Sequence, residues 1–297
     1  MTKQYTHLVL SGGGMSGLIY LGALRYLQQE KYDEHILHIA GASIGALFAT
    51  AFALGMSMGD LEKNYKAFFN NEENCKLPVV TMDMMIESYD NLGIDDGYRL
   101  IEPIREVVGH MTFLELSKKT GKNLIISATH IESMQPTYFS VDTTPQVLVI
   151  DAVRASMALP VFVRPVEIGE DLYIDGGVTD GIPINAFPNV NPNAILIFHL
   201  AKNSIKIKSI PKKPSFIKFM TSMLQTYLRN YLSIRLLETS YPHYCQFTMC
   251  PISFIPLHWE NDQFTIKISN EKIDESFALG YSRIQKFLEI RNVIDQS

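Results

Sequence analysis

Short uninterrupted apolar runs alternate along the chain with segments whose apolar residues recur every three or four positions, which predicts strands and helices taken in turn. Thr6–Leu10 reads as a buried strand ending in Ser11-Gly12-Gly13-Gly14, followed by a helix from about Ser16 to Glu30 with Leu18, Leu21, Leu24 and Leu27 on one side. Ile36–Ala40 is a second strand, running into Gly41-Ala42-Ser43-Ile44-Gly45 and then a helix over Ala46–Leu54. Strand, glycine loop and helix, twice over, is the opening of a parallel α/β sheet. Residues 59–120 read as mostly helical, broken at Asp95-Asp96-Gly97. Strands are expected at Asn123–Ala128, Pro136–Val141, Leu172–Ile174 and Ala194–Leu200, and a short helix over Ala152–Ala158 is stopped by Leu159-Pro160. Lys202–Pro214 reads as a basic loop, Ser215–Thr239 as an amphipathic helix, Phe247–Leu257 and Gln263–Ile268 as late strands, and Asp274–Glu289 as a closing helix. No repeat or Gly/Ser linker divides the chain. The expected organisation is a core over residues 1–200 and a C-terminal lobe of the same domain over 201–297, with a basic amphipathic segment at 202–239.

One stretch imitates a membrane span. The 24 residues from Ile36 to Gly59 hold no Asp, Glu, Lys or Arg, and about 20 apolar residues would cross a bilayer. Gly41, Gly45 and Gly55 interrupt the run, so a buried strand, a tight turn and a buried helix explain it better. Among the 297 residues 46% are hydrophobic and 19% charged, which excludes a disordered chain. The net charge of −5 removes the general electrostatic footprint of a nucleic-acid binder. That charge is uneven: residues 202–235 carry eight Lys or Arg and no acid, leaving −13 on the rest. Three scattered cysteines, Cys75, Cys245 and Cys250, make neither a disulfide framework nor a zinc site and suit a reducing compartment. The N-terminus lacks the pattern of a signal peptide, so a cytoplasmic location is expected.

Candidate chemistry sits where strands meet glycines. Gly41-Ala42-Ser43-Ile44-Gly45 fits G-x-S-x-G, a sharp strand-to-helix turn that thrusts the serine hydroxyl outward, with glycines where strand and helix leave no room for Cβ atoms. The alternative is a helix simply capped by Ser43. Gly12, Gly14 and Gly17 fit the dinucleotide fingerprint G-x-G-x-x-G, but the acid expected about 20 residues on is missing from the end of the second strand. The other reading is a nest of N–H groups beside the Ser43 turn, able to hold an oxyanion. A serine nucleophile needs a base. None of the eight histidines stands in a glycine-rich or strand-end signature, and His7 and His38 lie in apolar strands. Asp175, which ends an apolar strand before Gly176-Gly177, is better placed, with an ordinary β-turn aspartate as the alternative.

Four pieces therefore occur in order: Gly12-Gly13-Gly14-x-x-Gly17, Gly41-x-Ser43-x-Gly45, Ala155-Ser156-x-Ala158-x-Pro160 and Asp175-Gly176-Gly177. Together they resemble the patatin-like phospholipase family over roughly residues 5–200, with further likeness at Phe277-Ala278-Leu279-Gly280-Tyr281. The resemblance implies an α/β sandwich with a central, mainly parallel sheet flanked by helices. It implies a Ser–Asp dyad without histidine: Ser43 as nucleophile, Asp175 as base, and Gly12, Gly13 and Gly14 as the oxyanion loop. The implied activity is calcium-independent hydrolysis of fatty-acyl esters of phospholipids or other acyl-ester lipids through an acyl-serine, of phospholipase A or lysophospholipase type, with no cofactor. Two positions depart from the family pattern. Ser16 stands where an Arg or Lys is usual after the glycines, and Gly181 stands where an Asn commonly precedes Pro183.

The basic stretch at 202–235 combines its charge with an apolar helical spacing of Phe216, Met220, Met223, Leu224, Tyr227, Tyr231 and Ile234. It is a candidate for peripheral docking on an anionic membrane; a core-packed helix with a solvated basic face is the alternative. Two competing functions share the same sequence: an acyltransferase using the same acyl-serine, and an inactive lipid-binding module.

Overall fold

The computed structural model describes residues 5–76, 92–200, 241–248, 250–252, 257–260 and 263–294. The expected loop and amphipathic helix between Lys202 and Thr239 lie outside these residues. β1 (His7–Leu10), β2 (His38–Ala42), β4 (Asn123–His130), β9 (Ile195–Leu200) and β10 (Tyr244–Phe247) run parallel. β5 (Gln135–Phe139), β7 (Val166–Ile168) and β8 (Asp171–Asp175) are antiparallel additions. Among the described residues the strand order is β10-β9-β1-β2-β4-β8-β7, with β5 also paired to β4. The mainly parallel sheet expected from the alternation of strands and helices is present.

Side chains alternate across the sheet, so both faces are covered. Leu8, Leu10, Ile39, Leu196 and Phe198 join the larger core. Val9, Ala40, Ile125, Ile195 and Ile197 pack with Ile182, Ile184 and Phe187 on the other side. The larger core is closed by α1 (Tyr20–Gln29), α2 (Ile44–Ala53) and α7 (Val149–Ser156). α3 (Met58–Asn70), α4 (Glu72–Cys75), α5 (Tyr98–Val108) and α6 (Phe113–Thr120) fill much of the expected helical region. α6 begins with a reciprocal capping box between Thr112 and Glu115 and ends at Gly121 in the left-handed region, a start and stop legible in local sequence.

The stretch from Ile36 to Gly59 contains β2, the serine turn and α2, whose ten residues are all buried. Ten helical residues span about 15 Å, half of a bilayer core. No helix among the described residues is long and apolar enough to cross a membrane.

Several boundaries differ from the sequence expectation. The first helix opens as a 3-10 turn over Gly14–Ile19, with no side-chain cap, before α1 begins. Of the late strand expected at Phe247–Leu257, residues 249 and 253–256 lie outside the described residues; β10 ends at Phe247, and β11 (Leu257–Glu260) pairs with β12 (Gln263–Ile266). Asp95 belongs to β3 (Gly93–Asp95), which pairs with β6 (Val161–Val163). β3, β6 and β7 are three residues each, too short for an apolar run to signal. The closing helix, α8 (Asn270–Ile294), is longer than expected.

That closing helix crosses α1 at close range. A Cβ on Gly22 would lie 1.8 Å from the Phe277 carbonyl oxygen, and one on Gly280 2.0 Å from that of Ile19. The glycine in Phe277-Ala278-Leu279-Gly280-Tyr281 is thus a helix-contact residue, seating the C-terminal helix on the first one.

Candidate active site

β1 and β2 are neighbours and end together, so their two glycine loops emerge side by side at the C-terminal edge of the sheet. Between β2 and α2, Ser43 adopts φ 52° and ψ −127°. A non-glycine residue at positive φ is held there by its surroundings at some cost, a conformation that clusters at functional turns. The flanking glycines are steric requirements. A Cβ on Gly41 would stand 2.4 Å from the Gly45 oxygen, and one on Gly45 2.3 Å from the Leu10 oxygen.

The turn carries Ser43 to Asp175. The Ser43 hydroxyl donates to Asp175 Oδ2 at 2.7 Å, while the Gly177 amide donates to Oδ1 at 2.7 Å. Asp175 stands at the end of β8 and is only 2% exposed. Burial pushes its carboxyl up to about 7, against the downward pull of the hydrogen bonds from Ser43 and Gly177. A carboxylate with that affinity for protons is suited to take one from an alcohol near neutral pH. His7 and His38 begin β1 and β2, at the far end from Ser43, with rings stacked 4.5 Å apart. Burial, with the neighbouring His38, holds His7 down to about 4.

The third motif supplies the frame. α7 ends at Ser156, whose hydroxyl accepts the Ser43 N–H at 2.8 Å and donates to the Ser127 carbonyl at 2.6 Å. The Asp175 amide donates to the Ala158 carbonyl at 3.0 Å, and the Gly176 amide to that of Ser156 at 3.2 Å. Gly176 also packs against β4, where a Cβ would lie 2.1 Å from the Ser127 oxygen. The sequence pattern contains Ser156 but does not reveal its partners, which come from three separate segments.

The glycine loop divides its amides. Gly12 lies over the serine, where a Cβ would stand 3.2 Å from Ser43 Cβ, but its N–H donates to the Gly181 carbonyl at 2.9 Å. Of the three glycines expected to form the oxyanion loop, Gly12 thus has its amide engaged by a carbonyl. The Gly13 and Gly14 amides have no such partner among the described residues. Gly181, one of the two departures from the family pattern, is therefore tied into the loop. Ser16, the other departure, is buried, and its hydroxyl donates to the Ile252 carbonyl at 2.9 Å. The Cys250 thiol meets the Ser16 carbonyl at 3.3 Å. A neutral contact to the C-terminal segment occupies the place of the family's cation.

Among the described residues His130, Glu132 and Asp171 bring possible ligand atoms within 4.8 Å of one another. His130 Nδ1 meets the Ser133 hydroxyl at 2.8 Å and the Ser133 amide at 3.2 Å, and its Nε2 faces Asp171 at 3.2 Å. Glu132 and Asp171 are exposed, and exposed acidic groups commonly stand near a histidine without an ion.

Comparison with known proteins agrees with this architecture. The model of the family described as patatin-like phospholipase matches residues 8–188, which include all four motifs. The probable lipid hydrolase 463L of invertebrate iridescent virus 6 is 26% identical over 77% of this chain and 73% of its own length. Uncharacterized protein R571 of Acanthamoeba polyphaga mimivirus is 30% identical over 62% of each chain. Triacylglycerol lipase 5 of Saccharomyces cerevisiae is 32% identical over 52% of this chain, a match spanning 21% of the yeast protein. The crystal structure of VipD from Legionella pneumophila superposes with a TM-score of 0.58 at 16% identity, covering 96% of this chain and 67% of that one, a likeness of fold. With more than half of its length matched by that family model, the chain belongs to the patatin-like phospholipase family.

Proposed function

We infer that the protein is a lipid acyl hydrolase of phospholipase A or lysophospholipase type, working through Ser43 and Asp175. The observation that carries this reading is the 2.7 Å hydrogen bond from the Ser43 hydroxyl to a buried carboxylate. Ser43 Oγ attacks the ester carbonyl carbon as its proton passes to Asp175 Oδ2. The Gly13 and Gly14 amides receive the oxyanion of the tetrahedral intermediate. Its collapse breaks the ester C–O bond, the alcohol leaves with the proton from Asp175, and an acyl-Ser43 remains. Water then attacks the acyl carbon, giving its proton to Asp175, and the fatty acid departs as Ser43 is reprotonated. Backbone amides receive the oxyanion in this scheme and the two side chains carry every proton, so the proposed reaction calls on no calcium, as the family resemblance implies. Docking on an anionic membrane through the eight basic residues of 202–235 is the companion proposal. Vesicle sedimentation with several of those lysines changed to Glu tests it, and unchanged binding removes it.

The test of the hydrolase is lipid mass spectrometry of phospholipid vesicles incubated with wild type, Ser43→Ala and Asp175→Asn, with EDTA present. Fatty acid and lysolipid should appear with wild type and vanish with Ser43→Ala. Full turnover by Ser43→Ala overturns the assignment. Acyl transfer to added glycerol or lysolipid in place of free fatty acid would make the protein an acyltransferase.

A further inference from the structure

The β2–β4 ladder breaks off at the serine turn, and the manner of the break assigns a role to Ser156. In the parallel register His38 stands opposite Asn123 and Ala42 opposite Ser127. The Asn123 amide donates to the Leu37 carbonyl at 2.8 Å, which sets the phase of the ladder. Odd-numbered residues of β2 face β4, and the next rung due is Ser43 N–H to Ser127 C=O. The Ser43 N–H is given instead to the Ser156 hydroxyl at 2.8 Å, and from there the backbone turns out of the strand with Ser43 at φ 52°. The Ser156 hydroxyl stands in the gap, accepting from Ser43 N at 2.8 Å and donating to Ser127 O at 2.6 Å. Donor and acceptor of the missing rung stay satisfied while the backbone leaves the ladder. The same residue's carbonyl holds the Gly176 amide, next to Asp175. One fully buried side chain therefore touches the backbone under the nucleophile, and its main chain touches the turn under the base.

We propose that Ser156 is a positioning residue for the reaction: its hydroxyl replaces the broken rung between β2 and β4 and so sets the Ser43 hydroxyl against Asp175. The inference deepens the acyl-hydrolase reading and rests on it. Without the hydroxyl, the buried Ser43 N–H and Ser127 C=O both lose the partner they have now. The turn then relaxes, and a displacement of about 1 Å at a reacting atom can cost on the order of a hundredfold in rate. Losing the Ser43 hydrogen bond also removes one of the influences that hold the Asp175 carboxyl down.

The test compares wild type, Ser156→Ala and Ser156→Cys in kcat, KM, pH profile and rate of labelling by a fluorophosphonate. Ser156→Cys keeps the side chain's size but replaces a strong hydrogen-bonding group with a weak one, and it serves if Ser156→Ala does not fold. The expected result is a fall in kcat and in labelling rate of about tenfold or more in either folded variant, with KM nearly unchanged and the acidic limb of the pH profile moved to higher pH. A folded Ser156→Cys with wild-type kcat, labelling rate and pH limb overturns the inference, whatever happens to its melting temperature. Wild-type protein that neither hydrolyses ester nor accepts the label, in the same assay, overturns the hydrolase reading itself. The two failures are thereby separate.

Discussion

The Ser43 hydroxyl and the Asp175 carboxylate lie 132 positions apart in the chain and 2.7 Å apart in the fold. Burial raises the proton affinity of that carboxylate to about 7. Only the unprotonated form can take the serine proton, so hydrolysis should rise with pH through a limb centred near 7. A kcat/KM profile on a short-chain nitrophenyl ester checks this. A limb near 4 would show an aspartate that behaves as if exposed.

The same shift opposes stability. Asp175 holds its proton more tightly folded than in the unfolded chain, where its value is near the ordinary 3.8. The folded state therefore loses ground as pH rises from about 4 to about 7, then levels off. Asp175→Asn removes the charge that burial penalises. Its melting temperature should exceed that of wild type at pH 8, with the gap closing or reversing at pH 5, while activity is nearly lost. Thermal scans at the two pH values decide it, and a gap that is no wider at pH 8 than at pH 5 contradicts the account.

Gly45→Ala places a Cβ against the main-chain oxygens of Leu10 and Ser11, at 2.3 and 2.7 Å. Backbone cannot rotate away as a side chain can. The substitution should cost about 1–3 kcal/mol or more and abolish fluorophosphonate labelling, because strand and helix must part at the serine. Denaturant titration with labelling of the folded fraction measures both.

Ser16→Arg would match the family pattern yet should not improve the enzyme. The Ser16 hydroxyl is buried against the Ile252 carbonyl, and an arginine there either buries a charge without a partner or displaces residues 250–252. Destabilisation by about 3 kcal/mol or more with no gain in kcat is expected. Ser16→Ala should lose only about 1–3 kcal/mol. An Arg variant both stable and faster would refute this.

Gly22→Ala tests the C-terminal helix. Its Cβ would meet the Phe277 carbonyl at 1.8 Å, so α1 and α8 must separate. Loss of about 1–3 kcal/mol or more should follow, and hydrogen exchange should quicken first in Asn270–Ile294. Unchanged exchange there would place the contact elsewhere.

Much of this protein is legible without coordinates, and the reason is locality. Apolar runs announce β1, β2, β4 and β9, because a buried parallel strand needs apolar side chains on both faces. The serine turn announces itself because a sharp strand-to-helix reversal excludes Cβ atoms at Gly41 and Gly45. Asp175 stands out as an acid ending an apolar strand before two glycines. The third motif is visible as a string of letters, but nothing local says that the Ser156 hydroxyl fills a missing rung between β2 and β4. Nor does the sequence show that the Gly12 amide is engaged by Gly181, or that Ser16 turns toward Ile252. Apart from that of Ser156 to Ser127, 29 positions away, those hydrogen bonds join segments more than 100 residues apart. Their existence depends on how two strands are registered and which backbone groups the ends of the sheet leave unpaired. Residue types at a turn follow from steric rules along the chain, whereas the partner of each buried N–H is chosen only when the whole sheet has closed around it.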